Sequence, residues 1–237
     1  MIVERSMHPK FLSNSYLVAD KAGGHAVIID AGGPIEPFFA HVDQLELRVT
    51  HVLLTHDHHD HTIHAVELGE RYGATVISAD QSADGYHVQS GALELRTIST
   101  PGHCAPHVAW VAYDGETPVA VFTGDVLFHH TVGGTVNGGA NGFAELRDSV
   151  TRLLELPPET IVFPGHTDQS TIGDEATDNP FVLAWRGDRP LLDEPVQVLG
   201  STATLIFEGP DYDGGTKAWV KFDDGREAIV GGSIVER

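Results

Sequence analysis

A single loop of the chain contains three imidazoles and a carboxylate at a spacing typical of metal ligands. Residues 55–61 read Thr-His-Asp-His-His-Asp-His, and they contain the pattern H-x-H-x-D-H at His56, His58, Asp60 and His61. Imidazole and carboxylate donors together suit zinc, iron or manganese. In an extended backbone His56 and His58 would project to the same side. Asp60 and His61 follow a bend, so they can face a second ion, and the loop predicts two adjacent metal sites.

Three further candidate ligands share one setting, because each follows an apolar, strand-like run and a turn that contains glycine. They are His103 after Thr-Pro-Gly, Asp125 after Thr-Gly, and His166 after Pro-Gly. Four strands that end in potential ligands predict one shared edge where a metal cluster assembles. A glycine beside each of the three later ligands lets the backbone approach a metal closely.

Hydrophobic periodicity and turn residues predict the elements that must position these ligands. Strands are predicted at 14–20, 25–30, 49–55, 74–78, 86–89, 92–98, 107–113, 118–123 and 161–163, and helices at 35–47, 63–72 and 143–156. A long glycine-rich loop is predicted over 129–142. Because helices interrupt the strands at intervals, the pattern indicates a layered α/β fold.

The character of the chain changes after Trp185. Residues 186–190 are predicted to be a connector, and the remainder reads as short strands joined by Gly and Asp turns. Asp224-Gly225 is its strongest hairpin signal. We predict a metal-binding domain over 1–187 and a small antiparallel β module over 188–237. Because every candidate ligand precedes residue 167, we expect this module to affect pocket shape or assembly rather than metal ligation.

Composition restricts the class of protein. The chain has 237 residues and a formal net charge of −20, which disfavours binding to nucleic acid. No apolar run approaches the roughly 18 residues that a membrane span needs, and the N-terminus shows no secretory signal. The single cysteine, Cys104, excludes an internal disulfide and is compatible with a reducing compartment. We therefore expect a cytoplasmic protein that binds neither nucleic acid nor a membrane; its oligomeric state is left open.

In their order along the chain, H-x-H-x-D-H, Thr-Pro-Gly-His, Thr-Gly-Asp and Pro-Gly-His resemble the metallo-β-lactamase superfamily. The chain looks most like the glyoxalase II-like branch of that family. Three further stretches support the likeness: Asn14-Ser-Tyr-Leu-Val, Ile29-Asp-Ala-Gly, and Thr171-Ile-Gly-Asp-Glu followed by Asn179-Pro-Phe. The resemblance covers residues 1–185, and it implies an α/β fold of four αββα layers with the β-rich module added at the C-terminus.

The resemblance distributes all seven candidate ligands over two divalent metal ions. One ion would be bound by His56, His58 and His103, and the other by Asp60, His61 and His166. Asp125 would bridge the two ions, and Asp30 would hold a ligand imidazole in orientation. Zinc is the expected metal, with iron and manganese as alternatives. A metal-activated hydroxide would attack a carbonyl, with Asp60 and Asp125 as the catalytic carboxylates.

The implied activity is hydrolysis of a small thioester or related acyl compound. Glyoxalase II itself holds a glutathione thioester with basic and tyrosine residues, partly in a helical C-terminal region, whereas this C-terminus is β-rich and has few basic residues. The related iron-dependent persulfide dioxygenases usually carry Gly-Arg-x-Asp after the bridging aspartate, where this chain has Gly133-Gly134-Thr135-Val136. Hydrolysis of a lactone or β-lactam and a non-catalytic metal-binding adaptor are further alternatives.

Several residues near the predicted ligands receive no metal role. Asp57 and His59 alternate with ligands and are expected to point away from the ions. His129 and His130 follow Asp125 and are expected in a solvated loop at the pocket mouth, with substrate contact as the alternative. Cys104 is expected to be a buried structural thiol.

Overall fold

A computed structural model describes residues 1–136 and 142–237. Residues 137–141, which belong to the predicted glycine-rich loop 129–142, lie outside the described residues. By its contacts the chain divides into two compact units. Unit 1 comprises Met1–Ser99, Pro106–Gly124 and Phe163–Thr167, and unit 2 comprises Thr100–Ala105, Asp125–Val162 and Asp168–Arg237. A functional division between residues 187 and 188 stays a prediction.

The first sheet of unit 1 has five strands in sequence order. They are β1 (Ile2–Met7), β2 (Asn14–Ala19), β3 (His25–Ile29), β4 (Arg48–Leu53) and β5 (Thr75–Ile77). β1 to β3 pair antiparallel, whereas β3, β4 and β5 pair parallel. The crossovers contain α1 (Glu36–Gln44), α2 (His59–Thr62) and α3 (Ala65–Tyr72). Leu17, Ile28 and Val52 pack in one core with Phe38 of α1 and Leu68 of α3, as the apolar runs of parallel strands require.

Four further strands of unit 1 form an antiparallel meander. They are β6 (His87–Ser90), β7 (Leu93–Ser99), β8 (Val108–Asp114) and β9 (Thr117–Gly124). Trp110 on β8 is fully buried and donates its indole N–H to Leu54 O at 3.2 Å. That bond ties the meander to the chain that leaves β4 toward the histidine-rich loop.

Unit 2 begins with short strands and helices. The strands are β10 (Leu127–Phe128), β11 (Thr131–Val132), β12 (Ile161–Pro164) and β13 (Ser170–Thr171), of which β12 belongs to unit 2 up to Val162 and to unit 1 from Phe163. The helices are α4 (Phe143–Leu153), α5 (Ile172–Asp178) and α6 (Pro180–Arg186). α5 begins with a capping box between Thr171 and Asp174. Asn179 caps α6 through Phe181 N and Val182 N.

The C-terminal module, residues 188–237, is a five-stranded antiparallel sheet with its own apolar core. Its strands are β14 (Glu194–Val198), β15 (Ser201–Pro210), β16 (Thr216–Phe222), β17 (Glu227–Gly231) and β18 (Val235–Glu236), in the order β17-β16-β15-β14-β18. Leu205, Val220 and Val230 lie in this core. Gly225, in the predicted hairpin turn, adopts φ +87°. The predicted β-rich character of this region is confirmed.

The mixed α/β class and most of the predicted elements are confirmed, with differences of a few residues at their ends. The helix predicted near 63–72 begins two residues later, at Ala65, and His59–Thr62 forms a separate turn of helix before it. The loop predicted over 129–142 contains the short strand Thr131–Val132. β1, α5 and α6 are not predicted. Within residues 1–136 and 142–237, no helix has the length and apolar character needed to cross a membrane.

Candidate metal centre

The histidine-rich loop changes from extended to helical backbone between its first and second pairs of candidate ligands. His58 caps α2 in an extended conformation, with φ −60° and ψ 142°. Asp60 and His61 lie in the helical turn that follows. This is the bend that the spacing predicts. Asp57 and His59 are both exposed, in agreement with the expectation that they point away from the ligand cluster.

Asp30 supports this loop from the end of β3. It adopts a left-handed backbone conformation with φ 54°, which aspartate tolerates better than most residues. Its carboxylate accepts hydrogen bonds from Thr55 N at 2.8 Å, from Thr55 Oγ1 at 2.9 Å and from His61 Nδ1 at 3.0 Å. Since a carboxylate only accepts, His61 carries its proton on Nδ1 and presents Nε2 as the ligand atom. The orienting role implied for Asp30 agrees with these contacts.

Thr55, which is not among the predicted site residues, extends the same network to His56. Because its hydroxyl donates to Asp30, its oxygen accepts from His56 Nδ1, which lies 3.0 Å away. His107, also buried and also not predicted, stacks on His56 with ring centroids 4.9 Å apart. The position of Thr55 directly before H-x-H was a usable signal for a supporting residue, whereas no pattern marks His107.

His166 is held by the N-terminal part of unit 1. Its Nδ1 donates to Phe11 O at 3.0 Å. The turn around it is bound by Asn14, whose side-chain amide donates to Pro164 O at 3.0 Å and Thr167 O at 2.8 Å. Tyr16 adds a hydrogen bond from its hydroxyl to Pro164 O at 2.7 Å. The stretch Asn14-Ser-Tyr therefore has a physical task, which is to fix the Pro-Gly-His turn.

His103 and Asp125 are neighbours in unit 2. His103 Nδ1 donates to Gly134 O at 2.8 Å, and its Nε2 lies 3.6 Å from Asp125 Oδ2. Gly133 packs so closely that an added Cβ would lie 1.9 Å from Asp125 O. Both ligand candidates are buried, as is the adjacent Cys104, which is a free thiol.

The candidate ligands form two groups, and within each group the donor atoms all lie within 4.8 Å of one another. One group consists of Asp60, His61 and His166, and the other consists of His56, His58, His103 and Asp125. The seven predicted ligands all fall in these two groups, and their role as metal ligands stays a prediction. The structure groups Asp125 with the three histidines, and its role as a bridge stays a prediction.

The distances inside these groups fit ligands that surround an ion. Asp60 Oδ2 lies 3.6 Å from His61 Nε2 and 3.7 Å from His166 Nε2. These separations are too long for good hydrogen bonds. Two donors that each bind a tetrahedral ion at about 2.1 Å are about 3.4 Å apart, close to what is observed. The donor set, its spacing and its oriented imidazoles therefore fit divalent metal ions.

Comparison with known proteins identifies the family. A model of the metallo-beta-lactamase superfamily matches residues 8–86. An uncharacterised protein of Mycobacterium leprae is 33% identical over 208 residues, which cover 71% of this chain and 93% of that protein. The crystal structure of ETHE1 from Myxococcus xanthus aligns with a TM-score of 0.68 and 33% identity, covering 77% of this chain and 84% of that one. The chain belongs to the metallo-β-lactamase superfamily. The resemblance inferred from the ligand motifs is confirmed.

A relative with a named activity lies in the glyoxalase II-like branch. The hydroxyacylglutathione hydrolase of Rhodospirillum rubrum is 35% identical over 163 residues, which cover 64% of this chain. The aligned part spans 60% of that enzyme, so the likeness leaves a substantial part of it unmatched. This superfamily protein is therefore similar to hydroxyacylglutathione hydrolase over part of that enzyme's length.

Proposed function

We propose that this protein is a dinuclear metal-dependent hydrolase that cleaves a small thioester or a related acyl compound. The observation that carries the proposal is the pair of ligand groups, with donor atoms within 4.8 Å in each. Nitrogen and oxygen donors of this kind suit zinc, with iron and manganese as alternatives. His56, His58 and His103 would hold one ion, and Asp60, His61 and His166 the other, with Asp125 contributing to both.

The two ions would supply a water of lowered pKa as the nucleophile and a Lewis acid for the acyl oxygen. The residues of the chain supply the geometry. Asp60 is partly exposed, with a side-chain exposure of 26%, and its carboxylate is suited to orient the attacking water and receive its proton. Asp30 holds the imidazole of His61 directly, and that of His56 through Thr55, in one tautomer. The ligand set needs no serine or cysteine nucleophile.

The acyl substrate is supported by the likeness to hydroxyacylglutathione hydrolase. The thiol carrier is a separate question, because the C-terminal module is a β-sheet rather than the helical region with which glyoxalase II holds glutathione. With a net charge of −20, the protein is also poorly suited to polyanionic substrates. We therefore propose a small acyl thioester, and we do not restrict its carrier to glutathione.

The test uses the full chain purified without an affinity chelator, stripped of metal and reloaded with zinc or iron(II). Thioesters of glutathione and of simpler thiols, lactones, β-lactams and glutathione persulfide are offered in parallel, and hydrolysis and oxygen uptake are both measured. We expect thioester hydrolysis without oxygen consumption. His58→Ala should abolish it, whereas Asp57→Asn, in the same loop but exposed, should retain it.

Three outcomes would replace the proposal. Rapid oxygen uptake with the persulfide by the iron-loaded protein, without hydrolysis of any acyl substrate, would make it a persulfide dioxygenase. Turnover of lactones or β-lactams alone would change the substrate class. Tight binding of two ions without turnover of any of these compounds would favour a metal-binding adaptor.

A further inference from the structure

The C-terminal module supplies no candidate ligand, yet it contacts Thr135, which follows the Gly134 that is hydrogen-bonded to the candidate ligand His103. Thr135 forms two hydrogen bonds with Ile229 of β17: Thr135 N donates to Ile229 O, and Ile229 N donates to Thr135 Oγ1, both at 2.9 Å. Thr135 and Ile229 are both buried. These bonds attach the segment after Asp125 to the edge of the module.

Lys217 of β16 adds a second attachment. Its ammonium donates to Val132 O at 2.7 Å and pairs with Asp211 at 2.9 Å. It also lies over the rings of Phe128 and Tyr212, at 5.2 and 5.1 Å from their centroids. The side chain is only 6% exposed, so these contacts must compensate the loss of water around a charge. Burial lowers the pKa of Lys217, whereas the carboxylates of Asp211 and Asp125 raise it.

The residue between these two attachments orients a candidate ligand. Gly134 lies between Val132 and Thr135, and its carbonyl oxygen accepts the hydrogen bond from His103 Nδ1 at 2.8 Å. Gly133, beside it, donates to Val126 O at 3.1 Å and leaves no room for a side chain against Asp125 O. The main chain around Gly134, whose carbonyl orients the ring of His103, is thus held on both sides by hydrogen bonds to residues of the module.

We propose that the C-terminal module is a positioning element for the metal site, acting through Thr135 and Lys217 on the Gly134 carbonyl that orients His103. The inference rests on the proposed metal site. It assigns the module a role in the affinity of the ion bound by His103 and Asp125, although the module contributes no ligand itself. Hydrogen-bond partners of ligand histidines commonly contribute about 10–100-fold to metal affinity. The ion bound by Asp60, His61 and His166 should be insensitive to the module.

The experiment compares closely matched variants of the full chain. Thr135→Val removes the hydroxyl that accepts from Ile229 N but keeps the shape, and Thr135→Ser keeps the hydroxyl. Lys217→Met removes the buried ammonium, and Lys221→Met, at an exposed position of the same strand, is its control. Metal-free proteins are titrated with zinc against a competing chelator and with cobalt, whose visible absorption reports ligand geometry.

We expect Thr135→Val and Lys217→Met to lower the binding affinity of one of the two ions by about 10-fold or more and to change the cobalt spectrum. The affinity of the second ion should stay as in the wild type. Thr135→Ser and Lys221→Met should match the wild type. Unchanged affinities in Thr135→Val, or equal losses at both ions, would overturn the inference. If Lys217→Met does not fold, the comparison of Thr135→Val with Thr135→Ser still tests the inference. A wild type that binds no metal would overturn the proposed function as well, whereas two tight ions with an unchanged Thr135→Val would overturn only the positioning role.

Discussion

The loop 56–61 and the segment 125–135 carry candidate ligands of the same chemistry and share one packing device. In both cases a glycine packs against the main-chain oxygen of an aspartate that is a candidate ligand. A Cβ on Gly32 would lie 1.4 Å from Asp60 O, and one on Gly133 would lie 1.9 Å from Asp125 O. Both regions therefore require the close approach of two backbones, which only glycine permits.

The two regions differ in what holds them. The loop is supported by Asp30 and Thr55, which lie inside or beside the motifs that mark the family. The segment is supported by residues far along the chain: His130 N donates to Glu175, Thr131 O accepts from Asn179, and Val132 O accepts from Lys217. The same ligand chemistry is thus supported by residues inside or beside the loop motif in one place and by residues more than 40 positions away in the other, of which Lys217 belongs to the C-terminal module.

The largest effect should come from a ligand carboxylate itself. Asp125→Asn replaces a negative charge by a dipole where divalent ions are expected, so we predict a loss of metal affinity of more than about 100-fold, beyond that of supporting residues. Asp57→Asn should leave the metal content near that of the wild type. Metal titration followed by elemental analysis measures both. Equal affinities for wild type and Asp125→Asn would show that Asp125 is not a ligand.

A support of the loop should have the next largest effect. Asp30→Asn removes the carboxylate that accepts from His61 and Thr55, and we predict about 10–100-fold weaker metal binding. Because Thr55 connects Asp30 to His56, both ions should be affected, in contrast to the single ion expected for Thr135→Val. Chelator competition distinguishes the two patterns. Asp43→Asn, exposed on α1, is the control, and a loss confined to one ion would contradict the Thr55 connection.

The close packing of a glycine against a ligand aspartate can be tested at two adjacent positions, Gly133 and Gly134. Gly133→Ala forces a Cβ against Asp125 O, and the displaced backbone should destabilise the protein by about 1–3 kcal/mol and weaken metal binding. Gly134→Ala should be tolerated, because the nearest atom to its Cβ, Ile229 O, is 3.6 Å away. Thermal unfolding with and without zinc measures both. Similar stabilities for the two variants would remove the packing argument.

The smallest effect should be a pH dependence from Glu175. Burial raises the pKa of this carboxyl above its ordinary value of 4.5. Its contribution to the free energy of unfolding is therefore fully present below pH 4.5 and is lost as the pH rises through the raised pKa. In metal-free protein, the stability of the wild type relative to Glu175→Gln should fall across that window. The stability curve of Asp178→Asn, an exposed residue of the same helix, should run parallel to that of the wild type, and a parallel curve for Glu175→Gln would contradict the raised pKa.

The sequence by itself was sufficient for the family, the mixed α/β class, most strands and the seven residues that cluster. That success has a local cause. H-x-H-x-D-H and the glycine turns before His103, Asp125 and His166 are short patterns in which a ligand and its backbone requirement are adjacent. Apolar strands and their turns are equally local, so periodicity revealed β2 to β9 within a few residues of their observed ends.

Apart from Asp30, the groups that support the ligands became apparent only in the tertiary structure. His107 stacks on His56 through a contact that no spacing rule describes, and the capped helices α5 and α6 were not predicted although Thr171 and Asn179 carry their signals. The attachment of Thr135 to Ile229 and of Val132 to Lys217 joins residues far apart in the chain. Such contacts depend on how folded elements meet, and a hydrogen bond between distant residues leaves no periodic trace in the sequence.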